Sequence, residues 1–202
     1  MTELSRMPLA PVTIALVRHG ETDWNRERRI QGLTDIPLND TGRRQAAEAA
    51  EALRTESWDA IYASPLSRAA ETASIMAERL GLAAPVHVPE LVERRHGALE
   101  GLDPEGRAAL EASAATIEGL EPRSAVIERS SAALLALAER HSGGRVLAVA
   151  HGGVIHSLIL HLSDWTLPAP GYRIDNGSVH LVRVADGALE LVEPERLTGT
   201  AD

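Results

Sequence analysis

Cysteine, lysine and phenylalanine are all absent from the 202 residues. Without cysteine there is no disulfide framework, no thiol nucleophile and no thiolate metal site. Only three Trp and two Tyr are present, so Leu, Val, Ile and many alanines must fill the core, which implies close approach of helices to a sheet. Positive charge rests on 20 arginines against 29 acidic residues, a net charge of −9. Genome base composition is explanation enough for the missing lysine, although guanidinium groups also suit bidentate anion recognition. The acidic balance argues against nucleic acid and acidic membrane surfaces as partners, because both demand extended basic faces. No apolar run reaches the length that spans a bilayer, and the start MTELSRMPLAP lacks the basic and apolar segments of an export signal. The expected location is the cytoplasm.

The length accommodates one substantial α/β core, so residues 1–202 are expected to form a single domain with a small elaboration. The apolar run Thr13–Val17, rich in β-branched residues, reads as a buried strand, and it delivers Arg18-His19-Gly20-Glu21-Thr22 at its end. Open α/β sheets bind ligands in the crevice beyond the carboxyl ends of their strands. One histidine there proves little, but a second run, Val146–Ala150, delivers His151-Gly152-Gly153 in the same arrangement. Two strand-end histidines point to one site.

Between these runs the chain alternates strand and helix. Residues 23–40 read as a polar loop over the strand ends, and Asn39-Asp40-Thr41 offers capping oxygens to a helix packed through Ala46, Ala49, Ala50 and Leu53. Trp58–Ala63 reads as a strand, followed by a helix with Ala69, Ala73, Met76 and Leu80 on one face and Gly81 as its stop. Arg68 falls in that helix's first turn, where the macrodipole disfavours a cation unless a phosphate joins it. Val86–Val88 is a short strand. Residues 102–123 read as an irregular, acidic lid with weak helical content, and 124–141 as a helix ended by Gly143-Gly144. A helix over 153–162 follows His151. Val179–Val184 and Ala188–Val192, joined by Asp186-Gly187, read as a closing hairpin with a type I′ turn, and 194–202 as a loose tail. The expected fold class is α/β: a three-layer α/β/α sandwich with a mostly parallel central sheet, a C-terminal antiparallel hairpin and a small lid insertion.

The ordered segments RHGETDWN, Gln31-Gly32, SPLSRAAETA around Arg68, and VAHGG at His151 resemble the histidine phosphatase superfamily, in its phosphoglycerate-mutase-like branch. The resemblance covers Thr13 to Val184. It implies the same three-layer sandwich and a phosphohistidine intermediate on His19. It also implies His151 as a ligand of the phosphoryl oxygens, Glu93 as general acid for the leaving oxygen, and Asn25 and Gln31-Gly32 as contacts to phosphate or substrate.

The residues themselves support phosphoryl chemistry. A dianionic ester needs cations on its nonbridging oxygens, an in-line nucleophile and an acid for the leaving group. Arg18 and Arg68 supply cations, and the Gly152 amide at a helix start adds a donor. With no cysteine, no Walker A loop and no carboxylate-rich metal motif, a histidine nitrogen is the leading nucleophile. Positive neighbours should keep His19 neutral. Glu93 must begin protonated, which burial or a partner such as Glu21 would have to secure. His156 and His161, five apart, do not share a helix face and read as structural or surface groups, and Arg26, Arg28 and Arg29 as a solvated loop, with a rim for larger substrates as the alternative. No metal and no cofactor is expected. The expected partner is a small phosphorylated metabolite, with a homodimer left open.

Three functions compete: phosphatase, cofactor-dependent mutase, and a degenerate phosphate-binding module. The module is disfavoured because Arg18, His19, Arg68, Glu93 and His151 are all present. Mutases resembling this chain continue after ERxxGAL with a tyrosine, a lysine and two adjacent arginines. Here His96 and Pro104 occupy the first two positions, and acidic residues dominate 102–123, so the lid reads as ill suited to a second phosphate and hydrolysis is favoured.

Overall fold

The computed structural model describes residues 10–113 and 116–192. Strand β1, Val12–Arg18, is buried almost throughout, as its apolar run requires, and it lies inside a six-stranded sheet of order β3-β2-β4-β1-β5-β6. The other strands are β2 (Ala60–Ala63), β3 (Val86–His87), β4 (Arg145–Ala150), β5 (Val179–Ala185) and β6 (Ala188–Leu191). The pairings β3·β2, β2·β4 and β4·β1 are parallel, whereas β1·β5 and β5·β6 are antiparallel. Asp186 and Gly187 both have positive φ, 50° and 76°, as the type I′ turn of the expected hairpin demands.

Alternation along β1 and β4 sorts the core into two layers. Ile14, Leu16, Val146 and Ala148 face α5 (Arg123–Arg140) and α6 (Gly152–Leu162). Ala15, Val17, Leu147 and Val149 face α2 (Asp40–Ala52) and α3 (Ser67–Leu80). Helices α2 and α3 pack on this layer through Ala49, Ala50, Ala69 and Ala73, all buried, which is the small-residue packing that scarce aromatics imply. Asn39 caps α2 by accepting from the Gly42 amide at 2.9 Å, and α3 ends at Gly81 in the left-handed conformation.

Three segments differ from their sequence reading. The loop over 23–40 contains a short helix, α1 (Asp23–Arg26), closed by a capping box between Thr22 and Asn25. The lid is less irregular than expected, since Pro104–Ser113 forms a ten-residue helix, α4. None of its residues is buried, so no apolar stripe announced it in the sequence. Strand β2 begins at Ala60 rather than Trp58, whose indole Nε1 donates to the Leu53 carbonyl at 3.0 Å. The tail expected over 194–202 lies outside the described residues. Among those described, no helix is long and apolar enough to cross a membrane.

Candidate active site

Strands β1 and β4 are paired in parallel with Arg18 opposite Ala150, which brings the ends that carry His19 and His151 side by side. Their rings lie 5.1 Å apart between centroids, tilted by 58°, and both are buried. The Nδ1 of His19 is 2.7 Å from the Gly20 carbonyl oxygen. A carbonyl only accepts, so Nδ1 carries the proton and Nε2 keeps its lone pair. The Nε2 of His151 is 2.8 Å from the Ser64 hydroxyl, and its Nδ1 has no partner among the described residues.

Arg18 and Arg68 complete the inner site. Arg18 donates to the Ile174 carbonyl and Arg68 to those of Thr34 (3.0 Å) and Gly32 (2.8 Å), while the Nε of each is buried and unpartnered. The start of α3 has no capping side chain of its own. Asp35 serves it from outside, accepting from the Ser67 amide at 2.9 Å. Gly32 has φ of 56°, and a Cβ there would overlap the Glu100 carboxylate, so glycine is needed for the turn that aims its carbonyl at Arg68. That carboxylate accepts from Leu33, Thr34 and His96. Burial alone would raise its pKa, but these bonds, the Leu33 amide's first among them, hold it below the usual range.

Burial, followed by the charges of Arg18 and Arg68, pushes the pKa of His19 well below its ordinary value. Burial, then Arg68, His19 and Arg18, does the same for His151. Both imidazoles are therefore neutral. The sequence reading placed this effect on positive neighbours, and burial is the larger cause. Burial also lowers the pKa of Arg18 and of Arg68, opposed in each case by Glu93.

These residues open into a cavity of about 410 Å³, in the range of small-molecule sites. Of the sequence candidates, Arg18, His19, Asn25, Gln31, Gly32, Arg68, Glu93 and Gly152 line it, and His151 is fully buried beside His19. Asn25 spends Oδ1 on Thr22 and Asn176, which leaves its amide N–H groups for the cavity. Gln31 Oε1 is buried without a partner, and rotation of the amide would present a donor there. Glu93 accepts from the Arg94 amide at 2.8 Å and the Gly153 amide at 3.1 Å. A Cβ on Gly153 would fall 2.5 Å from Glu93 Oε1, so the glycine makes room for the carboxylate. Glu21, the partner suggested for it, instead accepts from Asn39 at 2.9 Å.

Sequence reasoning missed several lining residues: Arg94, His96, Arg107, Arg123, His156 and Arg173. His156, which the sequence reads as structural or surface, lines the cavity because it follows Gly152 and Gly153 by four and three residues on the same face of α6. Arg29 also lines the cavity, whereas Arg26 is tied to Asp23 in an exposed pair. Among the described residues, no group of three or more His, Asp or Glu side chains is arranged to hold a metal ion.

Comparison with known proteins gives a consistent result. The model of the histidine phosphatase superfamily (branch 1) matches residues 14–195. The chain is 37% identical over 173 residues to the uncharacterized phosphatase PhoE of Bacillus subtilis, covering 86% of this chain and 89% of the relative. It is 37% identical over 185 residues to a metal-independent phosphoserine phosphatase of Arabidopsis thaliana, covering 86% and 76%. A phosphoglycerate mutase-like protein 4 of the same plant is also 37% identical, over 186 residues, covering 86% and 80%. Among solved structures, YhfR of Bacillus stearothermophilus superposes with a TM-score of 0.80 at 29% identity, covering 95% of this chain and 98% of that one.

Proposed function

The chain belongs to the histidine phosphatase superfamily, branch 1, and from that premise we propose that it hydrolyses small phosphomonoesters through a phosphohistidine on His19. One observation carries the reading. His19, buried and neutral with Nε2 unprotonated, lines the cavity together with Arg18 and Arg68 and lies 5.1 Å from the ring of His151, and the Nε of each arginine and the Nδ1 of His151, a donor when the Ser64 hydroxyl donates to Nε2, are buried without a partner among the described residues. Unpaired buried donors are costly, and three phosphoryl oxygens satisfy them.

In the first step Nε2 attacks phosphorus in line, and the bond from phosphorus to the ester oxygen breaks. Glu93 gives its proton to the departing alkoxide. In the second step the Glu93 carboxylate takes a proton from water, the hydroxide oxygen bonds to phosphorus, and the N–P bond breaks to release phosphate and regenerate His19. Arg18, Arg68, His151 and the amide of Gly152 hold the equatorial oxygens through both steps. Arginines and neutral imidazole thereby supply the charge stabilisation that a metal would supply elsewhere.

The lid does not argue for hydrolysis in the way its composition implied. Its acidic residues do not line the cavity, whereas its Arg107 and Arg123 do. Support for a phosphatase rests instead on the relatives. The test is to offer phosphoglycerate and simple phosphomonoesters in the presence of EDTA. Release of inorganic phosphate is expected. Isomerisation of 3-phosphoglycerate to 2-phosphoglycerate, after priming with the bisphosphate and without matching phosphate release, would replace hydrolysis by mutase chemistry.

A further inference from the structure

Arg68 is fully buried in the first turn of α3, and its two terminal nitrogens are engaged by the carbonyls of Thr34 and Gly32, which leaves its buried Nε without a partner among the described residues. Those carbonyls lie between α1 and α2, where no helix or strand fixes the backbone. The aim of a guanidinium that must meet a phosphoryl group therefore depends on what holds two loop peptides.

Glu100 holds both. Its Oε1 accepts from the Leu33 amide at 3.2 Å, and its Oε2 accepts from the Thr34 amide at 3.1 Å and the Thr34 hydroxyl at 2.9 Å. The N–H and C=O of a trans peptide point in opposite directions from one rigid plane. Glu100 thus grips the Gly32–Leu33 peptide by its N–H while Arg68 is held at the C=O of the same peptide. The carboxylate is anchored in turn. Oε1 also accepts from the His96 amide at 3.1 Å, and the neighbouring backbone is paired with the loop through Gly101 to Ile30 (2.8 Å) and Ile30 to Leu102 (3.0 Å). Four donors match the four lone-pair sites of an ionised carboxylate. Burial works against that ionisation, and the bonds from Leu33, Thr34 and His96 outweigh it.

A carboxylate so placed has an electrostatic cost. Its charge acts on Arg68 and opposes any anion bound there, so its contribution to the site has to be geometric. We infer that Glu100 is a positioning residue, which holds the Gly32 and Thr34 carbonyls where they aim Arg68 at the phosphoryl group. It does not line the cavity and acts through Arg68. The inference rests on the phosphatase reading for the task it assigns to Arg68.

Calorimetric titration of the whole protein with orthovanadate reads the aim of Arg68 without turnover. Loss of the Glu100 charge alone would tighten an anion, whereas loss of its hold on the loop loosens it, so the sign separates the two. Glu100→Ala is expected to bind vanadate about tenfold more weakly, the factor that one charge-assisted hydrogen bond supplies. Glu100→Gln, whose amide accepts at one oxygen only, should fall between Glu100→Ala and the wild type. Thr34→Val keeps the charge, removes one bond and should weaken binding in the same direction. Circular dichroism checks the fold, and Glu100→Gln and Thr34→Val carry the comparison if Glu100→Ala does not fold. In an Arg68→Lys background there is no planar fork for two carbonyls to aim, so adding the same Glu100 replacement should change affinity by less than about twofold. Unchanged or tighter binding in the folded Glu100 variants overturns the inference. Equal losses with arginine and with lysine at position 68 also overturn it, by reducing Glu100 to general scaffold. A loss confined to the Arg68 background, in a protein whose wild type releases no phosphate from any ester, would leave the positioning role standing and overturn the phosphatase reading alone.

Discussion

Arg129 and Glu121 form an ion pair of 2.9 Å directly behind the segment that carries Glu93. Arg129 also donates to the carbonyls of Glu90, Val92 (2.7 Å) and Glu93 (3.2 Å), while Glu121 accepts from the Arg95 amide at 3.0 Å. The acid-bearing segment has little regular structure of its own, so this clamp fixes where its carboxylate stands. Arg129→Met should cost roughly 2 kcal/mol of stability, the scale of a lost hydrogen bond to a charged group. It should also lower kcat on alkyl phosphates more than on p-nitrophenyl phosphate, because only the former need a placed proton. Equal losses on both esters would reduce Arg129 to scaffold.

Glu93 itself gives the sharper contrast. Glu93→Gln keeps the size of the side chain and removes the proton, although its single amide oxygen can accept from only one of the Arg94 and Gly153 amides. Turnover of esters with poor leaving groups should drop by about 10² to 10⁴, the usual worth of general-acid catalysis. Formation of the phosphoenzyme from p-nitrophenyl phosphate should change much less, since nitrophenolate departs unprotonated. Burst kinetics on both esters separate the two steps, and a uniform loss would remove Glu93 from the acid's role.

Acid should destabilise the fold earlier than carboxylate titration alone would require. Burial lowers the pKa of His180 to about 4, and His19 and His151 are depressed as well. The unfolded chain, with histidines near 6.5, then binds more protons than the folded one. The stability from burying these rings neutral is complete above pH 6.5 and is lost as pH falls below it. His180 alone accounts for roughly 3 kcal/mol once pH reaches about 4. Melting temperature should decline between pH 6.5 and 5, and less steeply in His180→Gln. A flat profile across that interval in the wild type would contradict the neutral buried histidines.

Much of the fold was readable because its signals are local. Both central strands, the caps of α2 and α3 and the hairpin turn each lie within a few consecutive residues, and the two strand-end histidines needed only the rule about strand termini to be joined. The outer lining of the cavity was hidden for the opposite reason. Arg123 and His156 are 33 residues apart, and their pairing depends on how the start of α5 meets α6. Counting acidic residues in the lid misled, because its carboxylates point to other partners, Glu121 to Arg129 and Glu111 to Arg107. Nothing local in the sequence ties Ser64 to the site, and only the fold shows its hydroxyl on His151.

In the proposed mechanism Arg18, Arg68 and His151 carry the charge of the transferring group, so activity should survive exhaustive chelation. Vanadate, which adopts the five-coordinate geometry of that group, should inhibit competitively with the ester. Loss of turnover in EDTA that a divalent ion restores would show that the arginines and the imidazole do not suffice.

The central claim is that the free Nε2 of His19 becomes covalently phosphorylated. The direct measurement is rapid quench of the enzyme with a ³²P-labelled phosphomonoester, under conditions that preserve phosphoramidates, followed by peptide mapping. Label should appear on the peptide containing His19, be labile to acid and stable to base, and be absent in His19→Ala. Label on a serine or a carboxylate, or steady turnover by His19→Ala, would contradict the mechanism.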